Sequence, residues 1–500
     1  MSEINQETPN MISGIDAMRG VGQTRAKGFW ADAWSRVLKR NGARFGLLWI
    51  SLIAFFAVFA PLIANSHPWM IEQIGASGEV TSRSWPLLAN LTATDWLLLI
   101  GVFVGAPWIL IGPRSLTRAQ RSGMFVVAAI QAGVIVVLAP TLIEWASESS
   151  RAPWLKEMAR GNNGGWPIAA VISLGAACVA AWIPSVDSLW KRVASALAVA
   201  AISGSISVSA GGATLINFER YMDNEATGKI RCVWAPIPWS PLYTRSDMVA
   251  APPGAMVEEL PNLESWKGTP FGKRFTIMGT DALGGDVLAQ MLWACRLSIS
   301  IGLVSTGLSV LIGVTIGAIM GYFGGWIDLL LFRIVEIFMA VPVLFLLIVA
   351  AGVLPRNTYM MMAIIGMFSW TGAARFTRAE FMKLRKQEFV QAAQAVGLPL
   401  RAILFRHMLP NGVTPVLVDA SFSIAAAISI EATLSYLGLG PDGQASWGKL
   451  LSSATASTGT FVWWLAVFPG VAIFLSVLSY NMLGEALRDA IDPKLRKAAH

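Results

Sequence analysis

Arg333 and Glu336 stand three residues apart inside an otherwise apolar run, a spacing that places both on one face of a helix. A charge near the centre of a bilayer costs about 3 kcal/mol, so the two are expected to pair with each other or to lie towards the cytoplasmic end. The sharper chemistry open to them is a proton or ion relay. Asp419 and Glu431, in another apolar run, carry the same two readings. The three histidines, His67, His407 and His500, are too scattered for a metal cluster, and Cys178, Cys232 and Cys295 show neither ligand nor pairing spacing and read as packing residues. Residues 443–450, GQASWGKL, almost match the phosphate-cradling G-x-x-x-x-G-K-[ST] pattern, but Leu450 takes the place of the Mg²⁺-binding hydroxyl and no strand precedes it. With no Ser-His-Asp set and no HExxH, the sequence gives an enzyme little support and no metal site. It also holds no nucleotide site of its own.

The elements that carry these residues are membrane helices. Only 14% of the residues are charged, 55% are hydrophobic and the mean hydropathy is +0.57. Apolar runs of roughly 17–25 residues can cross the hydrocarbon core as helix. Ten occur, near 45–64, 95–112, 124–146, 166–183, 193–216, 297–320, 328–352, 359–376, 414–438 and 462–484. With the N-terminus inside, segments 1–44, 113–123, 184–192, 375–412 and 486–500 hold 23 of the 38 Lys and Arg, and the short loops opposite hold six. That asymmetry orients both termini to the cytoplasm and accounts for the net charge of +8 without nucleic acid. Forty-four residues precede the first run, so it reads as a retained span rather than a cleaved signal. Trp69, Trp85, Trp96, Trp145, Trp166, Trp190 and Trp326 fall at or near span ends, where an amphipathic ring suits the headgroup layer.

The fold expected is therefore an all-α polytopic membrane protein of about ten transmembrane helices. Its divisions are a cytoplasmic segment 1–44, a first core helix 45–64, a four-helix membrane segment with loops over 65–216, an extracytoplasmic loop 217–296 and the remaining helices over 297–500. The proline-rich stretches 234–243 and 251–256 predict little regular structure in the long loop. Four helices are an even number, so topology permits that bundle to be an addition to a six-helix unit; no internal repeat is visible. Gly313, Gly317, Gly321 and Gly325 recur every four residues, either to let two helix backbones approach closely or to line a path.

One polar stretch stands apart, EFVQAAQAVGLPLRAILFRHMLPN at 388–411. Phe389, Ala392, Ala393 and Val396 form one small apolar face at helical spacing. Gly397 is a natural helix stop and Pro399 suits the first turn of the next helix, which carries Leu400, Ile403, Leu404 and Met408 and ends at Pro410-Asn411. Lys383, Arg385, Lys386, Arg401 and Arg406 flank it. An amphipathic helix on the membrane surface would use the basic residues but gains little from alanine. A flat alanine face suits a protein groove.

QAAQAVG followed by RHMLPN resembles the EAA loop of ATP-binding-cassette importer permeases, which docks on the ATPase subunit. FAPLIA (59–64), GTDALGGDVLAQMLWACRLSISIGL (279–303), EATLSYLGLG (431–440), SWGKLL (446–451) and the stretch 465–496 narrow the resemblance to the C-type permease of dipeptide and oligopeptide importers. The resemblance covers the first helix and nearly everything after residue 275. It implies a type I importer membrane domain with an EAA loop at 379–412, in which Gln391, Ala392, Ala393, Gly397, His407, Leu409 and Pro410 couple to the ATPase. It implies as partners a second permease, two cassette ATPase subunits that bind the ATP and Mg²⁺, a solute-binding protein and the bacterial inner membrane. Two positions depart from the family pattern: Gln391 stands where Glu is usual, and Gly285 where Arg is usual. The four helices between about 95 and 216 have no counterpart there. The rival reading is an ion- or proton-coupled secondary transporter using Arg333, Glu336, Asp419 or Glu431.

Overall fold

The computed structural model describes residues 29–75, 79–113, 116–148, 153–160, 165–183, 188–209, 218–260, 273–456 and 461–491. Most of the N-terminal segment 1–44, the basic tail 492–500 and His500 lie outside the described residues.

Helix satisfies every backbone group within its own segment, which is what an apolar stretch in lipid requires. A short helix, α1 (Phe29–Val37), precedes the first span, α2 (Asn41–Ile63). After it come α3 (Ala93–Ile111), α4 (Arg118–Glu148), α5 (Trp166–Trp182), α6 (Leu189–Ser209) and a short α7 (Phe218–Ala226). The second half holds α8 (Val287–Phe323), α9 (Gly325–Ala340), α10 (Val343–Val353), α11 (Thr358–Phe368), α12 (Thr371–Leu384), α13 (Glu388–Ala395), α14 (Ala402–Met408), α15 (Thr414–Tyr436), α16 (Trp447–Ala456) and α17 (Trp463–Ile491). Seven of these helices are long and apolar enough to cross a membrane; α5 and α11 are shorter apolar helices, and α9 with α10 forms a bent pair. Together they fall in all ten apolar runs of the sequence, of which residues 210–216 lie outside the described residues.

The seventh run differs from the expectation of one continuous span. It breaks at Val341-Pro342, and α10 leaves α9 at 80°. Pro342 has no N–H to continue the ladder and holds Val341 in an extended conformation, φ −96° and ψ 128°.

The long loop is also more regular than its prolines suggested. It contains α7 and a strand, β3 (Ile230–Val233), which pairs antiparallel with β1 (Met70–Ile74) from the loop after α2; β1 in turn pairs with β2 (Val80–Ser84). The loops on either side of α3–α6 thus form one layer at one end of the helices. Below it, Asp281 accepts from the Leu283 and Gly285 amides at 2.8 Å and from Gln290 Nε2 at 2.6 Å, and Asp286 caps α8 through the Ala289 amide at 2.7 Å. The GTDALGGD stretch is therefore a clasp that starts the central helix.

α8 packs against α2, α11, α12 and α15, and α17 packs against α2, α15 and α16. At the opposite end α1 lies on α17, burying Val37, Ala43 and Ala486, and Arg40 pairs with Asp489 at 2.6 Å. Both described chain ends therefore share one face. Helices α4, α5 and α6 form their own bundle around Ile135, Ala177, Ala180, Ala196 and Ala200, joined by a buried hydrogen bond from Gln131 Nε2 to the Ala196 carbonyl at 2.7 Å. α3 ties this bundle to the rest. Its Asp95 forms a capping box with Thr92 and an ion pair with Arg296 of α8.

Candidate functional site

Counting alternate crossings, the end of α8 at Phe323 lies on the face that carries the chain ends, and the segment 385–412 folds against it. Val390 and Ala393 of α13 join Phe381 and Leu384 of α12 and Ile403 and Met408 of α14 in one buried cluster. Gln394 Nε2 donates to the Tyr322 hydroxyl at 3.2 Å, and Arg385 donates to the Phe323 carbonyl at 3.1 Å. Gly397, at φ +75°, ends α13: its amide bonds to the Gln394 carbonyl at 2.9 Å and that of Leu398 to Ala393 at 3.1 Å. This is the paired closure that a left-handed residue permits at a helix end. The bend between two short helices stands where the sequence placed it.

The apolar face divides, however. Phe389, Ala392 and Val396 point away from the protein, with Val396 77% exposed, while Ala393 turns inward beside Val390. Gln391, Gly397 and Pro410 are exposed, and His407 and Leu409 are half-buried. The seven residues expected to couple thus lie in one loop but not on one surface. Ala393 shapes that surface from beneath. Nor does Pro410-Asn411 end the second helix: Pro410 opens a further helical turn, Leu409–Gly412, where its missing N–H is harmless. Phe405, 62% exposed, completes the outer ledge with Leu398 and Leu400. The sequence offered only weak notice of Phe405, because α14 is widened and turns residues off ordinary helical spacing.

The ledge is mounted on a closely packed pair of helices. A Cβ added at Gly313 would lie 2.6 Å from the Ala373 Cβ, one at Gly317 2.7 Å from the Thr377 Cβ, and one at Gly321 2.5 Å from the Phe381 Cβ. The glycine stripe is the contact of α8 with α12, where absent side chains allow the backbones to touch. Gly325 is not part of it; it lies past the end of α8 at φ +54°. Arg378 of α12 grips Asp328 of α9 with two hydrogen bonds, at 2.5 and 2.7 Å, and its guanidinium lies 4.5 Å from the centroid of the Phe332 ring. The ledge thus packs directly on α12 and on the end of α8.

Three of the four intramembrane charges have local partners. Arg333 and Glu336 pair with each other at 2.5 Å. Glu431 is fully buried and accepts from the Ser435 and Ser446 hydroxyls at 2.8 and 2.7 Å. Asp419 lies beside Gly372 at the start of α12. Among the described residues no group of three or more His, Cys, Asp and Glu side chains converges as a metal site. The three cysteines are free, with Cys295 buried, Cys232 half-buried and Cys178 exposed, so packing describes the first better than the last.

The comparisons agree with this architecture. Residues 313–497 match the model of the binding-protein-dependent transport system inner membrane component, and residues 28–75 match the N-terminal transmembrane domain of oligopeptide transport permease C. A peptidoglycan transport system permease of Agrobacterium fabrum is 35% identical over 283 residues, covering 55% of this chain and 74% of that protein. An oligopeptide transport system permease of Haemophilus influenzae is 37% identical over 228 residues, 45% of this chain and 73% of the relative. A dipeptide transport system permease of Alkalihalophilus pseudofirmus is 34% identical over 259 residues, 52% and 81% respectively. The chain belongs to the family of binding-protein-dependent transport system inner membrane components, the multi-pass permeases of ATP-binding-cassette importers, and within it to the permease C type.

Proposed function

We propose that this permease forms part of a path for peptides or peptide-like solutes across the bacterial inner membrane, with both termini in the cytoplasm. A solute-binding protein delivers the solute to the face carrying the β1–β3 sheet. A second permease completes the path. Two cassette ATPase subunits, which hold the ATP and Mg²⁺, dock on the opposite face. The relatives that support the solute class are named for peptide, oligopeptide and dipeptide transport.

The observation that carries the reading is the outward ledge at 388–411 seated on the α8–α12 pair. Gln391, Ala392, Gly397 and Pro410 lie on or beside the exposed surface, His407 and Leu409 support it from the flank, and Ala393 fixes its shape from within. Gln391 brings an amide where the family usually carries a carboxylate, so this loop meets the ATPase without that charge. Closure of the ATPase pair on ATP would push the ledge, and the close α8–α12 contact would transmit the push to the membrane helices as a switch between two packed states. The six-helix core then comprises α2 and the spans after residue 286, and α3–α6 are an addition to it. The clasp of Asp281 and Asp286 closes without the Arg that the family places at Gly285, and holds the start of α8 fixed.

Proteoliposomes containing this chain, its second permease, the cassette ATPases and the binding protein should take up a labelled di- or oligopeptide only when ATP is supplied to the ATPase side. Uptake by this chain alone on an ion gradient would overturn the reading.

A further inference from the structure

Helix α5 reaches the coupling loop. Its last residue, Trp182, lies 219 positions before Arg401 in the sequence, yet the Arg401 guanidinium sits 5.1 Å from the centroid of the Trp182 ring. The two are brought to the same face by separate routes: α5 by alternate crossing of α2 through α5, and Arg401 by the loop's packing on Tyr322 and Phe381.

Neither side chain is needed where its own element packs. α5 buries Ala169, Ser173, Ala177 and Ala180 against α4 and α6, and this stripe of small residues leaves the Trp182 ring 71% exposed. Arg401 opens α14, whose buried contacts are Ile403 and Met408, and among the described residues it forms no ion pair. A guanidinium within about 6 Å of an indole face is attracted by the ring quadrupole. At the other end of the bundle, Asp95 of α3 holds Arg296 of α8. The four added helices are therefore attached twice, once near the clasped outer end of α8 and once at the ledge that α8 and α12 carry.

We propose that Trp182 is a positioning residue for the coupling loop: its ring holds the Arg401 end of the ledge, so that the added helices set how fully ATPase movement reaches the membrane helices. This rests on the ATP-driven reading above. A Trp that served only to anchor α5 at the headgroup layer would leave the transport ratio insensitive to Arg401, and this separates the two interpretations.

The test uses the complete complex in proteoliposomes and reads solute moved per ATP hydrolysed. Trp182→Leu and Arg401→Gln should each lower that ratio by about two- to fivefold, the range of an exposed cation–ring contact. The double variant should be no worse than either single one, because both remove the same contact. Trp182→Phe and Arg401→Lys, which keep a ring and a cation, should recover most of the ratio. Arg401→Gln alters an exposed side chain and keeps the test valid if Trp182→Leu lowers the yield. Wild-type ratios in both single variants, additive losses in the double variant, or no recovery with the conservative pair would each overturn the proposal. Uptake by the wild-type complex without ATP would instead overturn the importer reading, and this inference with it.

Discussion

Arg296 of α8 and Asp95 of α3 form an ion pair across 201 residues of sequence, with 3% of the Asp95 side chain and 15% of the Arg296 side chain exposed. The Arg296 guanidinium also donates to the Ala57 carbonyl of α2 at 3.0 Å and lies 5.2 Å from the centroid of the Trp293 ring. One cation thus binds α2, the central helix α8 and α3 together, and α3 carries the contact on to the α4–α6 bundle.

Removing either partner strands a buried charge, and a broken buried pair of this kind costs about 3–5 kcal/mol. Asp95→Ala should therefore lower the midpoint of thermal unfolding in detergent, and the double variant Asp95→Ala with Arg296→Met should recover part of the loss. Equal midpoints for wild type and Asp95→Ala would show that the pair does not hold the bundle.

The glycine stripe makes a positional prediction. Gly317→Val would drive its side chain into the Ala374 backbone and Thr377, whereas Gly307 on the same helix has open space around it. Overpacking of a close contact costs about 1–3 kcal/mol or more. Gly317→Val should reduce both stability and transport, and Gly307→Val should leave both near wild type. Matching behaviour of the two variants would remove the stripe from the interface.

Asp286 predicts a pH dependence. Burial pushes its carboxyl up from the ordinary 3.8 to about 6, helped by the neighbouring Asp281 and opposed by the Ala289 amide that it caps. The folded value lies above the unfolded one, so the folded protein binds this proton more tightly. The charged form is a penalty at neutral pH, on the order of 3 kcal/mol. The penalty is relieved as pH falls through 6 and fully relieved below the unfolded value. Asp286→Asn keeps an acceptor for the Ala289 amide and has no charge to desolvate. Its advantage in stability over wild type should be largest at pH 7 and shrink by pH 5; a constant difference across that range would contradict the assignment.

Glu431 is fixed by two hydroxyls on one oxygen, and Ser446 also accepts the Gly448 amide at 3.1 Å at the start of α16. Glu431→Gln retains an acceptor for both hydroxyls, while Glu431→Ala leaves them buried without one, at about 1–3 kcal/mol each. Unfolding in detergent should show a small change for the first and a large one for the second. The reverse order would point to a role for the charge itself.

Much of this architecture was legible because its signals are local. Ten apolar runs, the Gly397 stop and the four-residue glycine repeat all act within a helix turn or a span length. The break at Val341-Pro342 had a local signal too, since a residue before proline avoids the helical conformation; the surrounding hydropathy masked it. What could not be read was pairing between distant segments: β1 with β3, Asp95 with Arg296, Trp182 with Arg401. The division of the apolar face of α13 has a different cause. Periodicity shows that Phe389, Ala392, Ala393 and Val396 are neighbours on α13, but only the position of Phe381 and Met408 decides that Ala393 is inside and Val396 outside.

Docking of the ledge on the ATPase can be measured by co-purifying the tagged permease with its cassette subunits, comparing wild type with Val396→Glu and Phe405→Glu. Both substitutions lie on the exposed surface and should leave helical content and unfolding midpoint unchanged. The expected result is a loss of at least about tenfold in retained ATPase for each, the effect of truncating or charging an anchor at an interface centre. Wild-type retention in both variants, at equal yield, would place the coupling surface elsewhere.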